Sequence, residues 1–347
     1  MNEKTPILID GAEGYGQVLR TAIGLSTLTS KPIKIINIRK GRSRPGLFPQ
    51  HLTGVKTAAE FCNADTLGAV YGSMELVYSP KKLLVKDKTI DIGTSGSIPL
   101  LIQTLTPLLI YGSQRKKIEI IGGTAGLGSP TMEYVKHVTF PILNKLGLYI
   151  PEITIERQGF YPKGGGRVSI LFEPIRKLHR TILTEQGELK IIRGISVVGS
   201  LPESIAERQA EAAKRFLNEK GFKKVLIETE VTNTFSQGTS LTLWAETENT
   251  VLGSDVIGAR GIRAEDVGRK AAEELVKSIK SGAVLDKYMS DQIIPFLALA
   301  EGESTVKVEE MTQHVLTNIE VSEKFLDVKF EIQNNLIKIR GKGFSLT

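Results

Sequence analysis

The run Lys31-Pro-Ile-Lys-Ile-Ile-Asn-Ile38 has the β-branched composition of a β-strand. The pattern before it, over Gln17–Thr29, is typical of a helix, and the loop Arg39–Pro49 follows it. A second helix comes next, because one helical face carries the apolar residues Leu52, Val55, Ala58, Ala59 and Cys62. Ser73–Tyr78 then alternates as a strand. Helix, strand, loop, helix and hairpin together form one unit, which we call a module.

The same order recurs at two later places, so the sequence predicts three modules. The second is predicted to contain helix Ser97–Leu109, strand Lys117–Ile121, loop Gly122–Pro130, helix Thr131–Leu146, and strands Tyr149–Arg157 and Arg167–Phe172. The third is predicted to contain helix Asp291–Ala300, strand Ser304–Glu309, a helix from about His314, and strands Phe325–Gln333 and Leu336–Arg340. This prediction depends on order and spacing, since the residues themselves are not repeated.

The segment 181–280 has a different character from the modules around it. It carries 14 Lys and Arg against 15 Asp and Glu, whereas the rest of the chain carries 31 against 23. Its predicted elements are strand Leu189–Val198, helix Pro202–Lys220, strands Lys224–Thr232 and Ser240–Ala245, and helix Ala264–Ser281. A fourth, degenerate module is the alternative, but the element order differs. We therefore predict a large domain of residues 1–180 and 281–347 and an inserted α/β domain of residues 181–280.

Composition restricts the class of protein. The chain has 347 residues, 41% of them hydrophobic, and no apolar run approaches the ~18 residues needed to span a bilayer. Its first residues lack the apolar core of a signal peptide. The single cysteine, Cys62, excludes an intrachain disulfide and a cysteine-based zinc site. These features predict a soluble, cytoplasmic α/β protein without membrane association.

A glycine-spaced turn, Ile9–Arg20, joins a strand to the first helix. Such turns allow backbone N–H groups to approach phosphate, although neither the dinucleotide-binding nor the P-loop pattern is present. Glycine spacing alone favours a tight structural turn. The nearby Asp10, Glu13 and Arg20 favour a functional site, because Mg²⁺ needs a carboxylate beside phosphate oxygens.

The loop Arg39-Lys-Gly-Arg-Ser-Arg44 holds four cations in six residues. Most such runs are solvated loops, but this one is presented at the end of a strand, where clustered charge can bind a polyanion. His51 begins the helix after it and could contact phosphate or only cap the helix. A second glycine-rich turn, Phe160–Arg167, is explained equally well by a sharp hairpin and by a ligand site.

Thr312-Gln-His-Val-Leu-Thr-Asn318 lies where the third module's strand gives way to a helix. For a lone histidine a polar structural role is slightly favoured. A catalytic role for His314 is supported because its loop is equivalent to the basic loop and to the glycine loop of the other modules, so the three loops could converge. A neutral imidazole is also a competent nucleophile toward phosphorus. From the pattern alone Asp291 is a helix cap, and His137 and His179 are structural.

Several blocks that occur in order along the chain resemble one known family, the RNA 3′-terminal phosphate cyclases. The similar blocks are Asp10–Arg20, Ile38–Leu47, Gln50–Lys56, Ile92–Ser97 with Gln103, Gly159–Gly166, Asp291-Gln292 and His314–Ile319. The triple-glycine block is the most specific of these signatures. Two positions depart from the family pattern: Tyr15 stands where glycine is common, and Gln158 where a basic residue is usual.

The resemblance implies three repeats of a four-stranded sheet with two helices, plus a smaller inserted α/β domain. It also implies that His314 attacks the α-phosphorus of ATP, that AMP passes to an RNA 3′-phosphate, and that the 2′-hydroxyl closes a 2′,3′-cyclic phosphate. Glu13 would bind the divalent ion, Mg²⁺ or Mn²⁺. The nucleotide would contact Gln103, Tyr288, Met289, Ser290, Asp291 and Gln292. Phosphates and the RNA end would be held by Arg20, Arg39, Arg42 and His51.

The alternative is a non-catalytic, cyclase-like factor in ribosomal RNA processing. That branch of the family is distinguished by loss of the nucleophilic histidine, and His314 is present. RNA with a 3′-terminal phosphate is the expected partner. An oligomer is compatible with the sequence.

Overall fold

The computed structural model describes residues 5–13, 16–112 and 114–346. Its first module contains β1 (Ile7–Asp10), α1 (Gly16–Thr29), β2 (Ile33–Ile36), α2 (Pro49–Cys62), β3 (Asp65–Leu67) and β4 (Leu76–Ser79). β1 pairs parallel to β2, while β2 and β3 both pair antiparallel to β4, which gives the strand order β1-β2-β4-β3. Both helices therefore connect strands of one small sheet.

The second module repeats this arrangement. Its elements are β5 (Lys88–Asp91), α3 (Ile98–Leu109), β6 (Lys116–Gly122), α4 (Met132–Tyr134), a π-helical segment (Val135–Thr139), α5 (Phe140–Asn144), β7 (Glu152–Arg157) and β8 (Gly166–Phe172). The strand order β5-β6-β8-β7 matches that of the first sheet. A continuous helix was expected here, but the hydrogen-bond pattern widens to π-type at its centre.

The third module is interrupted. Its first strand, β9 (Ile182–Leu183), is followed by the inserted elements β10 (Leu189–Gly199), α6 (Glu203–Glu219), β11 (Val225–Thr232), β12 (Gly238–Thr247), β13 (Val251–Ile257) and α7 (Ala264–Lys280). β9 was assigned by sequence to the insert, yet it pairs with the third module. The insert forms its own sheet in the order β11-β10-β12-β13. β13 was not predicted from the sequence.

The third module is completed after the insert by α8 (Met289–Gln292), α9 (Ile294–Leu299), β14 (Glu301–Lys307), α10 (Gln313–Phe325), β15 (Phe330–Gln333) and β16 (Leu336–Lys342). Its order β15-β16-β14-β9 is again that of the other modules. Phe325, expected to open a strand, instead ends α10. The fold predicted from sequence, mixed α/β with three like modules and an inserted α/β layer, is confirmed.

Helices from all three modules pack together around α1, which contacts α2, α3 and α10. Eleven of its fourteen residues are buried. A helix buried on nearly all sides must be apolar around most of its circumference, as this one is. Its first turn therefore sits where the modules meet, and the polar residues there face one another rather than solvent.

The insert packs its sheet between two layers. Helices α6 and α7 cover one face through residues such as Ala213 and Leu275. The other face rests on the second module, where Trp244 packs with Tyr134 and Val138, and its ring stacks on His137 at 4.2 Å. Across the described residues, no helix combines the length and apolarity needed to cross a membrane.

Candidate active site

His314 lies in the first turn of α10, where the third module's strand–helix loop ends. The loop residue Thr312 caps this helix by accepting a hydrogen bond from the Val315 N–H at 3.2 Å. The imidazole is half-buried, and burial first, then the charges of Arg20 and Arg42, lower the pKa of His314. A helix N-terminus also disfavours the imidazolium. The ring is therefore neutral at neutral pH.

Arginines from two other elements surround this ring and His51. Arg20 comes from α1, while Arg39 and Arg42 come from the basic loop after β2. Burial lowers the pKa of Arg20 to about 10, and the carboxylate of Asp291 opposes this effect. Even so, Arg20 is a cation at neutral pH. Of the three loops predicted to converge, the basic loop of the first module and the loop that carries His314 in the third module therefore lie close together.

His51 is buried against the start of α1. Burial, followed by the charges of Arg20, Arg39 and Arg42, lowers the pKa of His51 to about 3. A Cβ on Gly16 would lie 2.4 Å from the His51 Nε2, so only glycine admits the ring here. His51 is thus a neutral hydrogen-bonding group beside the helix N-terminus. It could hold phosphate, as the sequence predicts, only through a hydrogen bond from the neutral ring and not as a cation.

A polar network that the sequence analysis missed fastens α1 to α8 and α10. Gln17 donates to the Asp291 carboxylate and, at 3.3 Å, to the His314 carbonyl. Thr21 donates to Asn318 Oδ1 at 2.7 Å, and Asn318 Nδ2 donates to the Asp291 carbonyl at 2.7 Å. These bonds fix the helix that carries His314. The sequence does contain one indication of this network, the i,i+4 spacing of its members. Gln17 and Thr21 share one helical face, and so do His314 and Asn318.

Gln103, Asp291 and Gln292, all predicted to contact nucleotide, line one cleft with Arg20. Its apolar walls include Val135 in the π-helical segment. Burial raises the pKa of Asp291 to about 7, although Arg20 opposes the shift. The cleft has the apolar walls and convergent polar groups of a small-molecule site, but its volume is only about 40 Å³, whereas such sites usually hold about 300–1,000 Å³.

The other predicted nucleotide contacts have different positions. Met289 and Ser290 are fully buried, and Ser290 Oγ donates to the Asp286 carbonyl at 2.7 Å. Their side chains support α8 instead of facing the cleft. Tyr288 is 38% exposed and packs edge-on against Tyr134 with ring centroids 6.4 Å apart, so its outer face is accessible.

Glu13, the predicted metal ligand, is exposed and accepts a hydrogen bond from Gln313 Nε2 at 2.9 Å. The residue next to His314 thus binds Glu13. Asp10 is occupied differently, because its Oδ1 accepts bonds from the Ala12 N–H and the Asn37 amide. Tyr15, the first departure from the family pattern, lies outside the described residues.

Within the described residues no three His, Cys, Asp or Glu side chains form a metal cluster. A single carboxylate nevertheless fits Mg²⁺ or Mn²⁺ bound together with phosphate, because Mg²⁺ takes few protein ligands and keeps waters and phosphate oxygens.

The triple-glycine turn has a structural explanation. Gly164 and Gly165 have φ of +65° and +72°, and a Cβ on Gly164 would lie 2.6 Å from the Ser95 Cα. Gln158, the second departure, is 2% exposed and donates to the Glu133 carboxylate at 2.6 Å. A buried amide at this position is part of the second module's packing. The glycine loop after β6 likewise contacts Gly96 and Gly159 through backbone hydrogen bonds.

Comparison with known proteins agrees with the blocks found in the sequence. The family model of RNA 3′-terminal phosphate cyclase matches residues 11–332. The chain belongs to the RNA 3′-terminal phosphate cyclase family. The resemblance predicted from the sequence is thereby confirmed.

Similar curated members of the cyclase family extend along almost the whole chain. An RNA 3′-terminal phosphate cyclase of Pyrococcus abyssi is 44% identical over 334 residues, which cover 96% of each chain. Those of Methanosarcina barkeri and Pyrobaculum neutrophilum are 44% and 42% identical, covering 94% and 97% of this chain and 96% and 99% of the relatives. The chain thus spans nearly the whole length of these relatives.

Proposed function

We propose that this protein converts an RNA 3′-terminal phosphate to a 2′,3′-cyclic phosphate at the expense of ATP, through a covalent histidine–AMP intermediate on His314. The observation that carries the proposal is a neutral imidazole among guanidinium groups: the pKa of His314 is lowered by burial and by Arg20 and Arg42. A histidine must be unprotonated to attack phosphorus, and phosphate must be neutralised to be attacked.

In the first step an imidazole nitrogen of His314 attacks the α-phosphorus of ATP. A nitrogen–phosphorus bond forms, the bond from the α-phosphorus to the bridging oxygen breaks, and pyrophosphate leaves. The hydrogen bond from Gln17 to the His314 carbonyl supports α10 at this residue. The bond between Thr21 and Asn318 supports it one turn later. Such fixed geometry is a large part of phosphoryl-transfer catalysis.

In the second step an oxygen of the RNA 3′-phosphate attacks the same phosphorus. A new phosphoanhydride forms, and the histidine nitrogen is released. The vicinal 2′-hydroxyl then loses its proton and attacks the RNA phosphorus, which closes the cyclic phosphate and expels AMP. Adenylylation is needed because oxide or hydroxide is a poor leaving group from a phosphate monoester, whereas AMP is a good one.

In these reaction steps the arginine side chains of the site would bind the phosphate groups. Arg20 lines the cleft and Arg39 and Arg42 lie beside His51, so the phosphates would be held between the first and third modules. Guanidinium groups suit this role because their donors match phosphate oxygens in pairs. Gln103 and Gln292 on the cleft wall would orient the nucleotide.

A divalent ion held by Glu13, water and phosphate oxygens would supply charge neutralisation at the nucleotide. Gln313 positions this carboxylate by donating to it from the residue that precedes His314.

Incubation with ATP labelled in the α-phosphate and a divalent cation tests the proposal. We expect wild-type protein to retain label that is stable to alkali and labile to acid, as a histidine phosphoramidate is. When 3′-phosphate RNA is added, the label should leave the protein as adenylylated RNA and then as free AMP. RNA ending in a 3′-hydroxyl should not release it. His314→Asn should not become labelled.

His179→Ala is the matched control, because His179 is exposed and is not among the residues that line the cleft. It should label like the wild type. Wild-type protein that takes up no label while it still binds 3′-phosphate RNA would contradict the proposal and favour a non-catalytic RNA-processing factor.

A further inference from the structure

A row of three side chains leads outward from the candidate site. The Arg39 guanidinium lies over the Phe48 ring, 4.5 Å from its centroid. The Phe48 and Tyr71 rings follow with centroids 5.6 Å apart, tilted by 48°. Because Arg39 also lies beside His51, the row connects the phosphate-binding cluster to the molecular surface. We call Arg39, Phe48 and Tyr71 the stacking row.

The loop that carries Tyr71 is fastened to the basic loop by its backbone. Gly72 N–H donates to the Leu47 carbonyl at 2.8 Å, and Leu47 N–H donates to the Ser73 carbonyl at 3.0 Å. Gly46 has a φ of +82°, and a Cβ there would lie 2.2 Å from the Gly72 carbonyl oxygen. Glycine is therefore required at this contact, and the close backbone contact holds Tyr71 in a defined position.

The outer end of the row is exposed and lies among positive charges. Tyr71 is 62% exposed, and its neighbour Val70 is equally so. Lys40, Arg42 and Arg44 are exposed on the adjoining loop, and no acidic residue occurs from 38 to 50. Glu75, the acidic residue nearest to Tyr71 in the sequence, forms an ion pair with Lys34 at 3.4 Å.

An exposed aromatic ring beside a basic track is the combination that single-stranded RNA uses, because every base has a face that can stack while the cations follow the phosphates. We infer that Tyr71 stacks on a base of the RNA strand upstream of the terminal nucleotide, with Phe48 and Arg39 as its support. This inference rests on the proposed function, because it takes the terminal phosphate to lie at Arg39 and Arg42.

Two ligands separate this role from a general effect on the site. One is a single-stranded RNA of about ten nucleotides with a 3′-phosphate, within the range of single-strand site sizes. The other is a nucleoside 3′,5′-bisphosphate, which carries the terminal phosphate but no upstream base. Tyr71→Ala should weaken binding of the RNA about 5- to 150-fold, the loss of one stacked base, and should lower the preference for RNA over the bisphosphate by a similar factor. Tyr71→Phe keeps the aromatic ring and should retain the wild-type affinity for RNA and the wild-type preference for RNA over the bisphosphate.

Salt dependence distinguishes stacking from charge. Tyr71→Ala should leave the slope of log K against log salt concentration unchanged, whereas Arg44→Ala should reduce it by about 0.7 for one lost phosphate contact on a single strand. Tyr149→Ala is the matched control, because Tyr149 is 59% exposed but lies in the turn before β7. It should bind RNA like the wild type.

Equal RNA binding by wild type and Tyr71→Ala would overturn the inference, and so would an equal loss for both ligands. Wild-type protein that binds no RNA would overturn it as well. Binding is measured without turnover, so a protein that binds RNA through Tyr71 but forms no histidine–AMP would contradict the proposed function alone.

Discussion

Replacement of Gly16 by alanine would place a methyl carbon 2.4 Å from Nε2 and 3.1 Å from Cδ2 of His51. Non-bonded carbon contacts lie at about 3.5 Å, so the imidazole has to move by about 1 Å. A displacement of about 1 Å in a catalytic constellation can lower the rate about 100-fold. We therefore expect kcat/KM for cyclisation to fall about 10- to 100-fold in Gly16→Ala.

The fold should tolerate the same substitution. Removal of a helical glycine stabilises by up to about 1 kcal/mol, and overpacking costs about 1–3 kcal/mol, so the free energy of unfolding should fall by no more than about 3 kcal/mol. Thermal unfolding and cyclisation kinetics measure the two effects separately. Gly24→Ala on the same helix is the control, because its Cβ would be 3.4 Å from the Pro107 Cγ, an ordinary contact.

A double substitution tests the physical cause. Once His51 is truncated, the methyl group has no ring to displace, so Gly16→Ala should cost almost nothing in a His51→Ala background. Additive losses, or a Gly16→Ala enzyme with wild-type kinetics, would refute the idea that the glycine exists to admit the imidazole.

Two further substitutions each remove the charge of one carboxylate, the first at the candidate site and the second in the buried packing of the second module. Glu13→Gln can keep the hydrogen bond with Gln313 but loses the negative charge. Saturation of self-adenylylation should therefore need more Mg²⁺ or Mn²⁺, and the rate of self-adenylylation should fall about 10- to 100-fold. A metal titration like that of the wild type would contradict this. Burial raises the pKa of Glu133 from 4.5 to about 7, so the folded state keeps this proton to higher pH than the unfolded chain. Ionisation between about pH 5 and 7 therefore lowers stability, and urea unfolding across that window should show a shallower decline for Glu133→Gln than for wild type. In the wild type, hydrogen bonds with Lys117 and Arg167 lower the pKa of Glu119. The control Glu119→Gln should therefore not make the decline of stability shallower.

The order of helices and strands was predictable because local sequence patterns indicate most of the elements in each module. The β-branched run before Arg39 and the apolar face of α2 indicate strand and helix without tertiary information. β9 has two residues and β13 contains Gly253, so neither offers a periodic signal. Phe325 was assigned to a strand because an aromatic residue suits both states, and its packing in the core as the last residue of α10 decides between them.

The site was predictable where a motif names the residue and not where contacts define it. His314, Arg20 and His51 stand in recognisable blocks, and they do lie close together. The bonds of Gln17 with Asp291 and of Thr21 with Asn318 join residues 274 and 297 positions apart, which a single sequence does not reveal. Likewise, only the packing shows that Met289 and Ser290 face the core.

The central position of α1 has a consequence for synthesis of the chain. Thr21 and Asn318 are 297 residues apart, so at about 5–20 residues per second a ribosome needs roughly 15 to 60 s to supply the partner of a helix that it made at the outset. Until then the side of α1 that α10 covers has no neighbour, and Arg20 does not have His314 beside it. The candidate active site is therefore among the last parts of the molecule to form, and a nascent chain can hold most of the fold before this site is complete.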